Sequence, residues 1–221
     1  MIDIVIVHTE KSKEYTEYCI ESIKNTTKVP YTIYKVEGDE ISPFTYNKAL
    51  NLGASRGKNP YILFCNNDLL FTEGWDSIIS DMKRFDVRSA SPYCTETHHK
   101  WWSKEEVPNV SIGHTMGKLF AGWCFCWERS LWEEIKLSEE YQFWCSDNVT
   151  VDTLIDNNIK HALFKKSVVI HKYSKSMSKL DKDTKRAFTH FALRKYLTDK
   201  KDTKALKSLE KDIKYEQNRR R

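Results

Sequence analysis

The chain opens on a largely apolar, β-branched run over residues 2–9, and such a run predicts a central strand buried on both faces. Ser12 then caps a predicted helix reaching about residue 25, with Cys19, Ile20 and Ile23 on one face. Pro30 punctuates, and residues 32–37 read as a second strand. Tyr46, Ala49, Leu50 and Gly53 recur at helical spacing, and Gly57 and Pro60 close that helix before a third strand at 61–65. Strands alternating with helices predict βαβ units, a parallel sheet and right-handed crossovers. Further along, a helix at 75–85, a short strand at 89–93 and an apolar strand at 119–127, interrupted by Gly122, are expected. Helices at 129–135 and 147–158 follow, then a last strand at 162–171 that ends on a histidine. Residues 94–118 carry His98, His99, Trp101, Trp102, Pro108, two glycines and no period, the mark of a long functional loop. From residue 180 the pattern is helical, with Leu206, Leu209 and Ile213 on one stripe.

Composition narrows the class. At 221 residues, 40% hydrophobic and 30% charged, the chain is expected to be globular, with one or two domains. No apolar run approaches the roughly 18 residues of a membrane span. The first seven residues are too short for a secretory leader and carry no basic start. Six cysteines (19, 65, 94, 124, 126 and 145) form no CxxC pair and sit mostly among apolar residues, which predicts reduced, buried thiols and a cytosolic setting. Cys124 and Cys126 would share one strand face, but no further zinc ligands lie at suitable spacing. The net charge of +5 conceals an asymmetry, because residues 172–221 hold 17 Lys and Arg against 7 Asp and Glu. The remainder is acidic. Such a basic tail either meets an anionic partner, nucleic acid or a membrane surface, or is a solvated helical face.

The most informative chemistry is Asn66-Asn67-Asp68, which follows the apolar strand at 61–65. In open α/β sheets, ligands bind beyond the carboxyl ends of the strands. An aspartate there can hold a hard divalent cation against a diphosphate. An Asx-type turn explains the same residues equally well at this point.

The order of elements over residues 2–175 resembles the nucleotide-sugar-dependent glycosyltransferases of the GT-A fold, family 2 in particular. The resemblance rests on five stretches in the family's order: the opening strand 2–9; NKALNLGASRG (47–57) followed by PYILFCNND (60–68), which ends in a DxD-type motif; GKLFAGWCFCWER (117–129); SEEYQFWCSD (138–147); and VVIHKYSKS (168–176). It implies an α/β fold with a mostly parallel, Rossmann-like central sheet flanked by helices. A catalytic domain over residues 1–176 would be followed by a basic helical extension, 177–221.

The resemblance also implies roles. Asp68 is the primary metal ligand and His171 the second, for Mn²⁺ or Mg²⁺, with the histidine favouring Mn²⁺. The family's first motif aspartate is Asn66 here, leaving one carboxylate. Asp147 is the candidate base, with Glu140 as fallback, in a single displacement with inversion; Asp147 also suits a helix N-cap. Thr9, Asn47, Asn66 and Asn67 would line the nucleotide pocket, and Glu37 or Asp39 would contact base or ribose. Trp101 and Trp102, beside histidines, stand out from tryptophans otherwise expected in the core.

The implied function is an inverting glycosyltransferase using a nucleotide-sugar donor. The acceptor is either a saccharide or lipid-linked glycan, or a hydroxymethylated base in phage DNA. The location implied is the cytosol of a bacterium or a phage-infected host. Two other readings remain, a non-catalytic nucleotide-sugar-binding module and a nucleotidyltransferase. The latter normally carries a Gly-rich loop after its first strand, and residues 8–12 contain no glycine.

Overall fold

The computed structural model describes residues 1–102, 106–142, 144–171 and 181–218. The boundary at 176/177 and the serines trailing His171 lie outside the described residues.

Eight strands form one sheet among these residues: β1 (Ile2–His8), β2 (Tyr31–Glu37), β3 (Tyr61–Asn66), β4 (Leu69–Phe71), β5 (Ser89–Tyr93), β6 (Val110–Ile112), β7 (Cys124–Glu128) and β8 (His161–His171). The spatial order is β2-β1-β3-β7-β5-β8-β4, with β6 also paired to β8. Strands β1, β2, β3, β5 and β8 run one way, while β4, β6 and β7 run against them. The sheet is therefore mixed but mostly parallel.

The helices are α1 (Lys13–Thr26), α2 (Tyr46–Ser55), α3 (Ile78–Arg84), α4 (Thr95–Trp102), α5 (Arg129–Ile135), α6 (Ser146–Asp156), α7 (Lys182–Asp199) and α8 (Thr203–Asn218). None is long and apolar enough to cross a membrane.

The period-2 alternation of the strands divides the core into two layers. Ile2, Ile4 and Ile6 of β1, Leu63 and Cys65 of β3, and Cys124 and Cys126 of β7 face the layer that holds Cys19 and Ile23 of α1 and Ile78 and Met82 of α3. Val5 and Val7, Ile62 and Phe64, and Phe125 and Trp127 face the other, with Leu50 of α2, Leu131 of α5 and Leu154 of α6. Gly53 makes the second layer close: a Cβ there would collide with Val5 of β1.

Asp3 is the one acidic residue inside β1. It is fully buried and paired to Arg129, Oδ2 to Nη2, at 2.7 Å. Arg129 also donates to the carbonyls of Asn59 (2.6 Å) and Ala54 (3.1 Å). Because Glu128 pairs with Tyr61 at the start of β3, this cluster lies at the end of the sheet opposite Asp68.

Two expectations change. The predicted loop at 94–118 contains α4 and β6. The predicted strand at 119–127 begins only at Cys124, because the N–H groups of Leu119 and Phe120 both turn back to the Thr115 carbonyl.

Candidate active site

The parallel strands converge on one edge, where β3 ends and β7 begins. The Asn66 N–H donates to the Trp123 carbonyl at 2.9 Å, continuing the β3–β7 ladder into the turn. After that turn β4 pairs antiparallel with the end of β8, and Leu69 faces His171 in register. Register alone therefore brings Asp68, one residue before Leu69, beside His171. Asp68 Oδ1 and His171 Nε2 lie 3.3 Å apart, with both side chains buried. The Nε2 atom has no hydrogen-bond partner among the described residues. Trp123 stacks on the imidazole, ring centroids 5.0 Å apart and 26° between planes.

A carboxylate oxygen and an imidazole nitrogen at this separation, from adjacent strand ends, are a donor set that fits Mn²⁺ or Mg²⁺. No group of three or more possible metal ligands occurs among the described residues. These two would be the protein's share, leaving the other positions for water and phosphate oxygens.

Asn66 Oδ1 accepts a 2.5 Å hydrogen bond from the Tyr46 hydroxyl at the start of α2. Burial pushes the Tyr46 phenol well above its ordinary range, and Cys65, Asp68, Cys124 and Asp147 add to the shift. Tyr46 thus lies within electrostatic reach of both Asp68 and Asp147.

Asp147 occupies the first turn of α6, two positions beyond the cap. The cap itself is Cys145, in the left-handed conformation at φ 66°. Asp147 Oδ1 accepts the Asn148 N–H at 2.9 Å. Its side chain presses on Gly122, where a Cβ would lie 2.5 Å from the Asp147 Cβ. Burial raises the proton affinity of this carboxylate, and the Asn148 and Asp147 N–H groups partly oppose the shift.

The remaining residues singled out in sequence have defined places. Asn67 Nδ2 donates to Ser12 Oγ (2.8 Å) and Thr16 Oγ1 (2.9 Å), so its amide faces α1 and anchors the turn that presents Asp68. Thr9 joins the same network, its N–H donating to Ser12 Oγ at 3.0 Å. Asn47 Nδ2 donates to the Ser138 carbonyl, tying α2 to the segment before α6. Glu37 ends β2 opposite His8 and is half-buried, while Asp39 is exposed in the turn that follows. Glu140 is 73% exposed and 3.9 Å from Lys195 of α7, on the side of the C-terminal helices. Trp101 is half exposed and Trp102 buried.

Two site residues escaped the sequence reading. Trp123 reads there as part of a strand, although the Gly122-Trp123 step just before β7 marks it. Tyr46 reads as one apolar helix position among several.

The C-terminal helices pack beside this edge. The Tyr196 hydroxyl (2.7 Å) and Lys200 (3.0 Å) both reach Asp152 of α6, and the Tyr141 hydroxyl reaches Asp199 at 2.5 Å. The helices pair through Arg194 and Glu210 (2.7 Å), and Leu209 is buried.

No protein-family model matches the chain, and a search of curated proteins finds no match. Among solved structures, GalNAc-T7 with UDP, GalNAc and Mn²⁺ aligns with a TM-score of 0.62 at 12% identity. That alignment covers 77% of this chain and 43% of the other, so this chain spans less than half of GalNAc-T7. The structure of S. aureus TarS 1–349 aligns with a TM-score of 0.57 at 9% identity, covering 89% of this chain and 72% of that one. Both are GT-A glycosyltransferases, and the GT-A fold is what this chain shares with them.

Proposed function

We propose that this chain is an inverting glycosyltransferase, moving a sugar from a nucleotide-sugar donor to a hydroxyl acceptor. The observation that carries the proposal is the Asp68–His171 pair at the carboxyl edge of a GT-A sheet, with half-buried Asp147 and Asp68 both within electrostatic reach of Tyr46.

Asp68 and His171 would hold Mn²⁺ or Mg²⁺, whose charge offsets that of the departing diphosphate. Asp147 takes the proton from the acceptor hydroxyl as its oxygen attacks the anomeric carbon. The new glycosidic bond forms on the face opposite the breaking bond, and the nucleoside diphosphate leaves with the bonding pair. A partly desolvated carboxylate suits this task, because desolvation makes it a stronger base than a fully exposed one.

Asn66, held by Tyr46, orients the donor side, and Trp123 shields the metal-ligand histidine from water. Glu37 or Asp39, at the end of β2, contacts base or ribose. Thr9 and Asn67 support the pocket from the α1 side, and Asn47 does so from α2. Residues 1–176 form the catalytic unit and 177–221 a basic extension.

The acceptor is either a saccharide or lipid-linked glycan or a hydroxymethylated base in phage DNA. Exposed Lys and Arg on α7 and α8 favour an anionic acceptor or surface, DNA or an anionic membrane. Steep salt dependence of binding to random duplex DNA supports the DNA acceptor, and undetectable binding at low salt removes it. The setting that goes with either acceptor is the bacterial or phage-infected cytosol.

The test is turnover of nucleotide sugars by wild type, Asp68→Ala and Asp147→Asn. Asp68→Ala should lose donor and metal binding, while Asp147→Asn should bind donor and lose turnover. Donor binding without turnover in the wild type would leave a non-catalytic binding module.

A further inference from the structure

His98 lies in α4, just past the end of β5 on the same edge of the sheet as Asp68, and it is fully buried. Its Nδ1 accepts the Cys94 N–H at 2.9 Å. Burial lowers its pKa to about 4, so the ring is neutral at ordinary pH. A neutral imidazole whose Nδ1 accepts a hydrogen bond carries its proton on Nε2. That Nε2–H is buried and has no acceptor among the described residues.

The contrast with His161 is informative. His161 is equally buried but uses both nitrogens, Nδ1 with Ser89 Oγ (2.7 Å) and Nε2 with the Leu119 carbonyl (3.2 Å). It is a satisfied core histidine, and His98 is not. The ring packs against Tyr93 (5.2 Å between centroids), Trp123 (6.0 Å) and Trp102 (6.3 Å). Trp123 is half-exposed and also stacks on His171, so one indole touches both His98 and the histidine of the Asp68 edge. An N–H donor fixed among aromatic faces is the pairing that recognises a sugar: hydroxyl or carbonyl oxygens take the donor, and C–H faces lie on the rings.

We infer that His98 is a sugar-recognition residue, donating from Nε2 to an oxygen of a pyranose that packs against Trp123. The inference rests on the glycosyltransferase reading and adds a specificity-determining contact to it. The pyranose belongs either to the donor or to the acceptor.

Histidine-selective ¹⁵N NMR on the full chain tests this. The probes are UDP, a panel of UDP-sugars with Mn²⁺, and methyl pyranosides. The free protein should show the Nε2–H tautomer at His98. That signal should move with a pyranose-bearing probe and stay in place with UDP alone. A response to UDP-sugars assigns the contact to the donor, and a response to methyl pyranosides assigns it to the acceptor. An Nδ1–H tautomer overturns the inference. So does an unmoved Nε2 signal while UDP-sugars raise the melting temperature, and that result leaves the glycosyltransferase reading intact. Failure of every pyranose-bearing probe to bind overturns the inference, while the glycosyltransferase reading falls only if no nucleotide of any base binds. In kinetics, His98→Phe should raise KM for the responding sugar about tenfold, the loss of one hydrogen bond, while UDP affinity stays unchanged. His98→Gln, which keeps a side-chain N–H donor, should recover part of the loss; equal KM in all three proteins contradicts the assignment.

Discussion

Asp147 occupies the space that Gly122 leaves open: a Cβ at residue 122 would sit 2.5 Å from the Asp147 Cβ and 3.0 Å from its Oδ2. The glycine is demanded by close approach and not by backbone conformation. Gly122→Ala should therefore move the carboxylate without unfolding the sheet. The expected outcome is a fall in kcat of about a hundredfold or more, within the range for a misplaced general base, with nucleotide affinity retained. Steady-state kinetics beside nucleotide titrations check it, and an unchanged kcat would separate Asp147 from the chemistry.

Burial raises the Asp147 pKa, and the sign of the linkage follows. Between the ordinary aspartate value and the raised one, the folded protein binds a proton that the unfolded chain does not. Stability contributed by this group is therefore present at low pH and lost as pH rises through the raised value. Asp147→Asn should stabilise the fold at neutral pH, and the gain should vanish below the ordinary aspartate range. Melting curves from pH 3 to pH 8 read this directly. Activity should show the mirror image, falling as the pH drops through the raised value because the base becomes protonated.

The opposite end of the sheet gives a control. Arg129→Met leaves Asp3 charged, buried and without its partner, which costs about 3–5 kcal/mol. Urea midpoints should fall accordingly, while nucleotide binding by the folded fraction is unchanged. A neutral effect would mean that water reaches Asp3.

Asp152 accepts both Tyr196 and Lys200 and so fastens α7 to α6. Asp152→Ala should speed tryptic cleavage within residues 181–218 and leave the rest of the chain protected. Equal cleavage rates would show that other contacts hold these helices.

The parts of the fold legible in sequence are those whose burial repeats. The alternation of Ile2, Ile4 and Ile6 against Val5 and Val7 marks β1 as two-faced, and the spacing of Ala49, Leu50 and Gly53 marks α2. Helix α4 escaped because its first residues are polar and its tryptophans come at the end. Strand β6 is three residues long and exists through its register with β8. Within the site, Asp68 and His171 carry a local signal, a polar group at the end of an apolar strand. Their proximity does not, because it depends on the pairing of Leu69 with His171 across a gap of about a hundred residues. Asn67 likewise reads as a polar strand end, while its partner Ser12 lies 55 positions away.

The most direct test of the central claim is a melting-temperature screen of nucleoside diphosphates and nucleotide sugars, with and without Mn²⁺, on wild type and Asp68→Ala. Ligand at 100 times its Kd stabilises the folded state by about 2.7 kcal/mol. The expected result is a clear upward shift with at least one nucleotide, dependent on the cation and absent from Asp68→Ala. No shift with any nucleotide under any metal condition, or a shift that Asp68→Ala retains in full, would contradict the claim.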